Sequence, residues 1–459
     1  MVCRCKRARE FLGRSQILGA VVGAPWDHAA AEAIVQPFIG GPVHSLQNPN
    51  PAGLPEPVHD QRQGPQPRPL HKDEAGQYEP VGIAVGSFRL FPGTEIKAMY
   101  DDNIYASKVD TKADYITSLI PSIDMRSDWN NHMLNFSAIG AAGLYKSHSA
   151  ENFEDYSVGT NGRVDILRNW NFAGGATFSH RHEERGSPDS TSRAKPTEYD
   201  QAHGEVSGFF KLNRMSYGSQ FRADNFTYDD NSSNPPGQSS TNPDRDRLEV
   251  RQDVKIAYEF IDDNEAWIRA GVNQRSYQRS RDSAGFNRSS NGIEVTCGAS
   301  LDFGGITRLE LFGGFAEQSY RDQRFGAISG PMFGMSGMWN PIVPLVIKPF
   351  LQRSIEDSVS PTQVGYVATT PGVSIEFKPV PHISFNARTS YSMNDYTAAS
   401  VPGASFRSDA TFDLGIGAKY WFSESFYVGP SFHRMERTSN TGASDFIRNR
   451  GLIITGATF

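Results

Sequence analysis

Polar and apolar side chains alternate along many stretches of this chain, most clearly in the segment RLEVRQDVKIAYEF at residues 247–260. One set of alternate positions carries charged residues such as Arg251 and Asp253, and the other carries apolar residues such as Val254 and Ile256. A period of two predicts a β-strand with two chemically different faces. A soluble sandwich and a membrane barrel both produce such strands, so one strand does not distinguish them.

The same alternation recurs through residues 93–459, for example in TRLELFGGF, HISFNARTSY and FRSDATFDLGIGAKYWF. The connections between these runs are of two kinds, which alternate. Some are compact, such as Asn213-Arg214 and Asn340-Pro341, and others are long and polar, such as ERGSPDSTSRAKPTE and SRDSAGFNRSS. Tight turns at one end and long loops at the other are typical of outer-membrane barrels.

Counting the runs predicts an all-β chain that folds as a transmembrane antiparallel up-and-down β-barrel of about 18 strands (roughly 16–18). Each strand with its connection then takes about 20 residues, which is enough to cross a bilayer. No helical pattern is available to cover so many two-faced strands, which makes a soluble sandwich hard to build. Aromatic residues near the ends of the runs, as at Tyr420, Trp421 and Phe422, fit the interfacial girdles of such a barrel.

The first 92 residues differ from the rest of the chain. Residues 1–33 have a basic start, a short apolar stretch and a run of alanines, which predicts a secretory signal peptide. A cytosolic N-terminus or a wrongly chosen start codon are the alternatives. Residues 34–92 are rich in Pro and Gln at first, which predicts a disordered periplasmic tail that leads into the barrel. The barrel itself is predicted to occupy residues 93–459.

Composition narrows the alternatives further. The 459 residues have a mean hydropathy of -0.49. They contain no apolar run of about 18 residues, so no transmembrane helix is predicted. The formal net charge is -6 and no basic block occurs, so nucleic acid is not expected as a partner. The cysteines Cys3, Cys5 and Cys297 do not have the spacing of a zinc site.

No motif of a known catalytic type stands out. The sequence has no G-x-S-x-G, P-loop or H-E-x-x-H pattern. His203 and Glu205 would share a strand face and could act as an acid–base pair, but polar neighbours of this kind are ordinary on a barrel wall. Asp101 and Asp102 could bind a divalent ion, although solvated turn residues are the simpler interpretation. No catalytic, cofactor-binding or metal-binding residue is therefore predicted.

The charged residues of the polar faces are predicted to line a lumen, because a Lys or Arg at the bilayer midplane costs about 2–4 kcal/mol in a barrel. At about 18 strands, side chains cannot fill the interior, so an aqueous channel is expected. The facing of each residue follows from strand parity and would invert beyond a β-bulge. The principal predicted lumen-lining residues are Arg222, Asp224, Arg247, Glu249, Arg251, Asp253, Lys255, Arg269, Arg308, Glu310, Arg388, Arg407, Asp413 and Lys419. The same parity adds Glu95, Lys97, Arg163, Asp165, Glu205, Lys211, Arg275 and Asp409.

The chain ends in GLIITGATF, with Phe459 as its last residue. A terminal aromatic residue on a two-faced strand resembles the C-terminal signal that many bacterial outer-membrane proteins present to the barrel-assembly machinery. Ile453, Thr455 and Ala457 would share the lipid-facing side with it. Phe459 is therefore the predicted barrel-assembly signal.

The segment EPVGIAVGSFRLFPGTEIKAMYDDNIYAS at residues 79–107 resembles the opening of the outer-membrane β-barrel porin-2 family of Gram-negative bacteria. In that family a P-x-G-I-x-x-G-S-F-x-L-x-P element leads into a first strand that ends in an Asp-Asp-Asn or Asn-Asp-Asn element. The matching residues here are Pro80, Gly82, Ile83, Gly86, Ser87, Phe88, Leu90, Pro92, Tyr100, Asp101, Asp102, Asn103 and Ile104. The resemblance extends over residues 80–459 and implies an outer-membrane β-barrel associated with exopolysaccharide production.

The predicted function is a passive, water-filled pore in the cell outer membrane, associated with exopolysaccharide export or the assembly of surface polysaccharide. A general small-solute porin is the first alternative; an outer-membrane hydrolase and a secreted soluble β-protein are the others. The chain is not expected to be an enzyme, and a passive pore needs no cofactor. The expected partners are outer-membrane lipids and lipopolysaccharide, the barrel-assembly machinery and polysaccharide export components.

Overall fold

The computed structural model describes residues 81–188, 195–230, 242–358, 360, 362–442 and 444–459. The predicted signal peptide and the predicted tail up to residue 80 lie outside the described residues. The described chain forms nineteen β-strands and two short 3-10 turns, at Ser149–Glu151 and Asn242–Arg245. The strands are β1 (Ile83–Val85), β2 (Phe88–Asp101), β3 (Asp114–Ser127), β4 (Met133–Tyr145), β5 (Phe153–Leu167), β6 (Trp170–His182), β7 (Glu198–Leu212), β8 (Met215–Tyr228), β9 (Arg247–Ile261), β10 (Asn264–Tyr277), β11 (Ser290–Phe303), β12 (Thr307–Tyr320), β13 (Ala327–Ile342), β14 (Leu345–Asp357), β15 (Gln363–Val380), β16 (Ile383–Ala398), β17 (Arg407–Trp421), β18 (Phe426–Ser439) and β19 (Phe446–Thr458).

Each strand pairs antiparallel with the next one along the chain, and β19 pairs with residues 93–101 of β2. The eighteen strands β2–β19 therefore close into a barrel, which confirms the predicted fold. Closure removes the free edges that an open sheet of this size would expose. The first barrel strand begins at Phe88 rather than at residue 93, because the residues before 93 already pair with β3.

The short strand β1 lies outside the closed ring. It pairs with the first residues of β2, with Ile83 opposite Leu90 and Val85 opposite Phe88. This is the part of β2 that extends beyond its pairing with β19. β1 therefore covers an edge of β2 that the closing strand does not reach.

The connections differ in length at the two ends of the barrel, as the sequence predicted. At one end they are tight, and Asn213 and Asp263 adopt positive φ angles of 52° and 62° within them. Asn and Asp tolerate this left-handed conformation better than other non-glycine residues. At the other end the connections are longer, as between β2 and β3 or between β6 and β7. The two ends are called the short-turn end and the long-loop end.

One predicted turn is displaced. β13 continues through Asn340 and Pro341 to Ile342, and the chain turns at residues 343–344 instead. The pairing of β13 with β14 shifts register between Trp339 and Ile342. Because a proline cannot donate a ladder hydrogen bond, an irregular stretch of this kind is where a strand accommodates one.

The two faces of each barrel strand differ in exposure. On β9 the side chains of Leu248, Val254 and Ile256 are 43%, 47% and 45% exposed, whereas Arg247 and Asp253 are buried. The exposed apolar residues form the outer face of the barrel, and the charged residues form its inner face. Among the described residues, no helix has the length and apolarity that a membrane crossing requires.

A tyrosine of β18 reaches across the closing strand of the barrel. The ring of Tyr427 lies over Gly456 of β19, where a Cβ would come within 2.4 Å of the ring. The hydroxyl donates a hydrogen bond to Glu95 of β2, and Lys97 and Lys419 lie 3.4 Å and 3.9 Å from the same carboxylate. Position 456 therefore requires glycine for a contact that ties β18 to β2 across the seam.

Candidate pore lining and barrel mouth

The structure places all fourteen principal residues of the predicted lining on the inner face of the barrel. They occupy the strand positions that alternate with exposed hydrophobic residues. On β8, for example, Arg222 and Asp224 flank a position whose side chain points the other way, and Phe221 on the outer face is 43% exposed. That these residues control what passes through the barrel stays a prediction.

Inner-face charges on β9, β10 and β11 are paired with one another. Arg251 donates hydrogen bonds to Asp253 at 2.7 Å and to Glu294 at 3.2 Å. Arg269 donates to the other oxygen of Glu294 at 2.8 Å. Arginine suits this arrangement because its planar fork can bind two carboxylates at once. The wall therefore presents both signs of charge and satisfies many of them internally.

Glycines make room for these long side chains along the wall. A Cβ at Gly271 would come within 2.4 Å of the Asp253 carboxylate, and a Cβ at Gly292 would come within 2.3 Å of the Asn273 amide. Since both distances are far below van der Waals contact, any larger residue would force the network to move. The side chains lie flat against the wall because their neighbours lack a Cβ.

A second section of the wall carries little charge. The inward positions of residues 328–338 on β13 and of residues 364–374 on β15 hold no charged side chain. Hydroxyl and amide groups take their place: Thr370 donates to Ser392 at 3.1 Å, and Ser392 donates to Asn394 at 3.2 Å. The inner face thus has an ion-paired section and a largely neutral section, to which β14 contributes the inward charges Lys348 and Glu356.

The loop between β6 and β7 begins with a segment that folds onto the inner face at the long-loop end. This segment, Glu183–Ser187, and the charged groups that hold it are called the ionic clamp. Glu183, Arg185 and Ser187 are 3%, 8% and 7% exposed. Charged residues are almost never buried to this degree unless they are paired.

Neighbouring loops hold the segment at Glu183 and at Arg185. Arg245, in the loop before β9, donates to Glu183 at 3.0 Å. Arg185 forms a bidentate pair with Glu151 of the β4–β5 loop, with N···O distances of 2.7 Å and 2.9 Å. Bidentate arginine–carboxylate pairs fix orientation as well as distance.

Two arginines of β19 hold the middle of the segment. Arg450 donates to both oxygens of Glu184 at 3.2 Å and 3.3 Å, and Arg448 donates to the carbonyl of Arg185 at 3.2 Å. Both arginines also donate to Asp101 at the end of β2. The ionic clamp therefore connects the β6–β7 loop to the strands on either side of the barrel seam.

The charge state of Glu184 depends on these arginines. Burial opposes ionisation of Glu184, but Arg450 and Arg448 outweigh it, so the pKa of this carboxyl lies below its usual range. A cavity of about 20 Å³ lies beside the pair and is lined also by Met99 and Tyr145. A space of this size holds about one water molecule. The segment is thus held by charge in a nearly closed environment.

Another part of the mouth is built from apolar side chains. Two of its rings, Phe286 and Phe325, stack with their centroids 4.8 Å apart. The cluster joins the β10–β11 and β12–β13 loops to the ends of the neighbouring strands and is called the apolar ledge. Its buried members are Phe286, Tyr320, Phe325, Ile328, Val364 and Ala399.

The residues considered for catalysis make ordinary polar contacts on the wall. The Nδ1 atom of His203 lies 2.8 Å from Asp224, and its Nε2 atom lies 4.0 Å from Glu205. Gln220 donates to the same Glu205 at 2.9 Å. The arrangement is a chain of hydrogen bonds within one wall.

The imidazoles of His180 and His182 lie on different sides of the wall, although strand parity alone would place both on one face. His180 stacks on the exposed Tyr156, with ring centroids 5.3 Å apart. His182 lies 2.9 Å from the buried carboxylate of Asp155. β6 ends at His182, where the chain turns into the ionic clamp, so strand parity no longer fixes the direction of this side chain.

The acidic residues considered for a divalent ion have other partners. Asp101 accepts from Arg448 and Arg450, and Asp102 accepts from Asn449 at 2.7 Å. In the described part of the chain, no group of three or more His, Cys, Asp or Glu side chains is placed to hold a metal ion. Asp101 instead serves as the acceptor that orients the two arginines of the ionic clamp.

Phe459 lies directly after β19 at the short-turn end. Its N–H donates to the carbonyl of Pro92 at 3.1 Å, and its ring lies 5.9 Å from that of Phe426. The side chain is 47% exposed on the outer face. Its recognition by the barrel-assembly machinery stays a prediction.

Sequence reasoning does not find the ionic clamp. A Glu-Glu-Arg-Gly run in a long polar loop has the composition of a solvated segment, and the residues that bind it lie between 34 and 266 positions away. The available signal is the excess of arginine at Arg437, Arg448 and Arg450, which faces the lumen near the ends of β18 and β19. Such arginines need acceptors that their own strands do not supply.

The chain is similar to one family model and to several solved structures. The family described as "Putative beta-barrel porin 2" matches residues 75–455. No curated protein sequence matches the chain. Among solved structures, Pseudomonas aeruginosa OpdO is 14% identical with a TM-score of 0.41, covering 81% of this chain and 97% of that one. P. aeruginosa OccK5 (OpdH) is 11% identical with a TM-score of 0.42 (81% and 98% covered), and OprD is 9% identical with a TM-score of 0.40 (84% and 98% covered).

The family match spans most of the chain and includes every strand of the barrel except the end of β19. In outer-membrane barrels the short turns face the periplasm and the long loops face the outside. The ionic clamp and the apolar ledge therefore lie at the extracellular mouth. The chain belongs to the β-barrel porin-2 family and is a porin-like β-barrel of the outer membrane.

Proposed function

We propose that the chain forms a passive, water-filled pore for small polar solutes across the outer membrane. The observation that carries this proposal is a closed ring of eighteen strands with a charged inner face and an apolar outer face. A ring of this size encloses more space than inward side chains fill. Diffusion through it needs no cofactor, and selectivity comes from the width of the lumen and the charges along it.

The ionic clamp favours a small solute, rather than a polymer, as the molecule that passes through the pore. Its charged residues are already paired within the chain, so the segment Glu183–Ser187 stays in the mouth without a ligand. A polymer would have to pass this obstruction or displace it, and displacement would leave buried charges unpaired. Small solutes face neither cost.

Export of exopolysaccharide is the second candidate, and the neutral section of the wall favours it. The groups of Thr370, Ser392 and Asn394 both donate and accept hydrogen bonds, which matches the hydroxyls of an uncharged sugar. The family resemblance points to the same setting. Polysaccharide export components of the periplasm would then be partners of the short-turn end.

Conductance in planar bilayers tests the pore itself. We expect the refolded barrel to give stepwise currents that rise with salt concentration, and a correctly folded barrel that never conducts would contradict the pore. Liposome swelling in sugars of increasing size then separates the two cargoes. Entry of mono- and disaccharides with exclusion of longer oligomers supports the small-solute pore. Loss of capsule with unchanged sugar uptake in a deletion strain supports export instead.

We further propose that the barrel has no catalytic step. Replacement of His203 and Glu205 by Ala is expected to leave conductance and stability nearly unchanged, because both side chains lie within a redundant polar wall. The wild-type barrel in detergent should release no product from phospholipid or polysaccharide substrates. Turnover by the wild type that the double variant loses would establish a hydrolase.

We propose that Phe459 is read by the barrel-assembly machinery. Phe459→Ala should lower the amount of folded barrel in the outer membrane several-fold while refolding from urea in vitro stays normal. Phe422→Ala is the matched control, because Phe422 is also an exposed aromatic residue at the short-turn end. Equal yields of the two variants in cells would remove the assembly role of Phe459.

A further inference from the structure

An apolar hollow lies on the outer face of the barrel and extends from β8 to β13. Its volume is about 920 Å³, and its floor includes Cys297, Ala299 and Gly313. Cys297 pairs with Ile268 on one side and with Gly313 on the other. Small residues in this row therefore lie between larger outward side chains, and a Cβ added at Gly313 would meet nothing within 4 Å.

The hollow lies in the half of the outer face that is nearer the short-turn end, and its height matches about one leaflet. It begins at Met215 and Tyr258, which pair with each other near the short-turn end. It reaches Cys297, which lies six residues from the end of β11 at Phe303. Six residues span about 20 Å along a strand. With strands tilted by about 40°, this is about 15 Å of depth, or roughly half of the apolar band of an outer-membrane barrel.

A positively charged side chain lies at the periplasmic end of the hollow. Arg214 immediately precedes Met215 in the turn between β7 and β8, and its side chain is exposed. One of its guanidinium nitrogens donates to the carbonyl of Phe260 at 3.2 Å, which holds the group beside the outward-facing end of β9. Arg214 lies at the short-turn end, where the barrel would meet the headgroups of the periplasmic leaflet. Arginine binds phosphate oxygens well because its donors form a fork.

We propose that this hollow binds one acyl chain of a glycerophospholipid of the periplasmic leaflet, with the lipid phosphate at Arg214. The lining is mostly apolar, with Tyr258 and Trp267 as its hydrogen-bonding side chains, so it suits a hydrocarbon chain better than a polar ligand. The site is continuous with the apolar outer face, which the membrane already covers. Because it lies on the outer face, it is independent of the pore and of what passes through it.

Native mass spectrometry of the purified full-length barrel tests this proposal. After extensive washing in mild detergent and addition of phosphatidylglycerol, we expect the wild type to retain one glycerophospholipid. Gly313→Leu fills open space and should lower its occupancy about tenfold, and Arg214→Ala should lower it several-fold. Ala387→Leu, on the outer face of β16, is the matched control and should retain the lipid like the wild type.

A second measurement uses the exposed thiol on the floor of the hollow. With Cys3 and Cys5 replaced by Ser, maleimide labelling of Cys297 in micelles should slow when phosphatidylglycerol is added, and less so in Arg214→Ala. Heat-modifiable migration on gels verifies that each variant is folded. Equal lipid occupancy in the wild type and Gly313→Leu would overturn the proposal. Retention of lipid A, or a dimer whose contact excludes lipid and protects Cys297, would overturn it too.

Discussion

The two structured parts of the extracellular mouth are held together by different forces. On the side of the barrel seam, Glu184 and Arg185 are fixed by arginine–carboxylate pairs with partners on β19 and in the β4–β5 loop. On the side of β10–β16, the rings of Phe286 and Phe325 stack inside a small apolar cluster. The ionic clamp consists of directional charge pairs. The apolar ledge is held mainly by ring packing, with Arg324 and Arg288 stacked on the outside of its two phenylalanine rings.

This difference indicates which side of the mouth responds to changes in pH and salt. Replacing a whole buried ion pair by apolar residues can be neutral, but removing one partner leaves an unpaired buried charge and costs about 3–5 kcal/mol. Burial of apolar surface is almost independent of pH and salt. We therefore expect the ionic clamp to set the pH response of the mouth and the apolar ledge to serve as its fixed wall.

The largest effect should follow from removing an arginine of the ionic clamp. Arg450→Met leaves the buried carboxylate of Asp101 and the mostly buried carboxylate of Glu184 with one arginine fewer, so we expect a loss of about 3 kcal/mol in the free energy of unfolding. Denaturant titration of the barrel in lipid vesicles measures it. A loss below about 1 kcal/mol, as for a surface pair, would show that the clamp is hydrated and mobile.

Truncation of the apolar ledge should have a slightly smaller effect. Phe325→Ala removes a buried ring that stacks on Phe286 and contacts Tyr320, and core truncations of this kind cost about 3–5 kcal/mol. Loops relax more than a closed core, so we expect about 2–3 kcal/mol here. The loss should be the same at pH 7 and pH 4, which distinguishes it from the ionic clamp. A loss that changes strongly with pH would erase the contrast between the two sides.

Acid should weaken the ionic clamp through Glu184. The pKa of Glu184 is below its usual value of 4.5 in the folded protein, so its contribution to stability is complete above that value. It is lost as the pH falls from about 4.5 through the folded-state pKa, because the unfolded state takes up the proton first. Melting temperatures between pH 7 and pH 3 should therefore fall by a few degrees more in the wild type than in Glu184→Gln. Parallel curves for the two proteins would remove Glu184 from the acid response.

The smallest effect should come from an exposed pair of the same chemistry. Arg434 and Glu436 lie 2.8 Å apart on β18, with side chains 35% and 38% exposed. Exposed pairs contribute about 0–1 kcal/mol, so Arg434→Ala should change the free energy of unfolding by less than about 1 kcal/mol. The ratio between this loss and that of Arg450→Met measures what burial adds to an arginine–carboxylate pair. Equal losses would mean that burial adds nothing.

Much of the wall was open to prediction because it follows from local pattern. Arg251, Asp253 and Lys255 face inward for the same reason that Val254 faces outward: a strand sends successive side chains to opposite faces. The number of strands followed from the spacing of turns. The displaced turn after β13 shows the limit, because Pro341 signals a break in the ladder but not the residue at which the chain reverses.

The mouth could not be predicted in the same way. Strand parity predicts the wrong side for His182 at the end of β6, because the strand stops there and the His182 side chain turns toward Asp155. The ionic clamp depends on Glu184 meeting Arg448 and Arg450, and nothing near either end of that contact identifies the other. Charged loop residues carry no periodicity, so their composition alone predicts solvent exposure.

From the amino-acid sequence alone it was possible to predict that each strand has a polar face and an apolar face. The approximate number of strands and their closure into a barrel rather than a sandwich were also predictable. These predictions were possible because alternation involves residues that are neighbours along the chain. The cost of placing a charge in lipid then shows which of the two faces meets the membrane. The three-dimensional structure was needed to show which charges pair across strands, which loop enters the mouth and where the outer face is hollow. Those features depend on residues brought together by the curvature and closure of the barrel, and no local pattern encodes such distances.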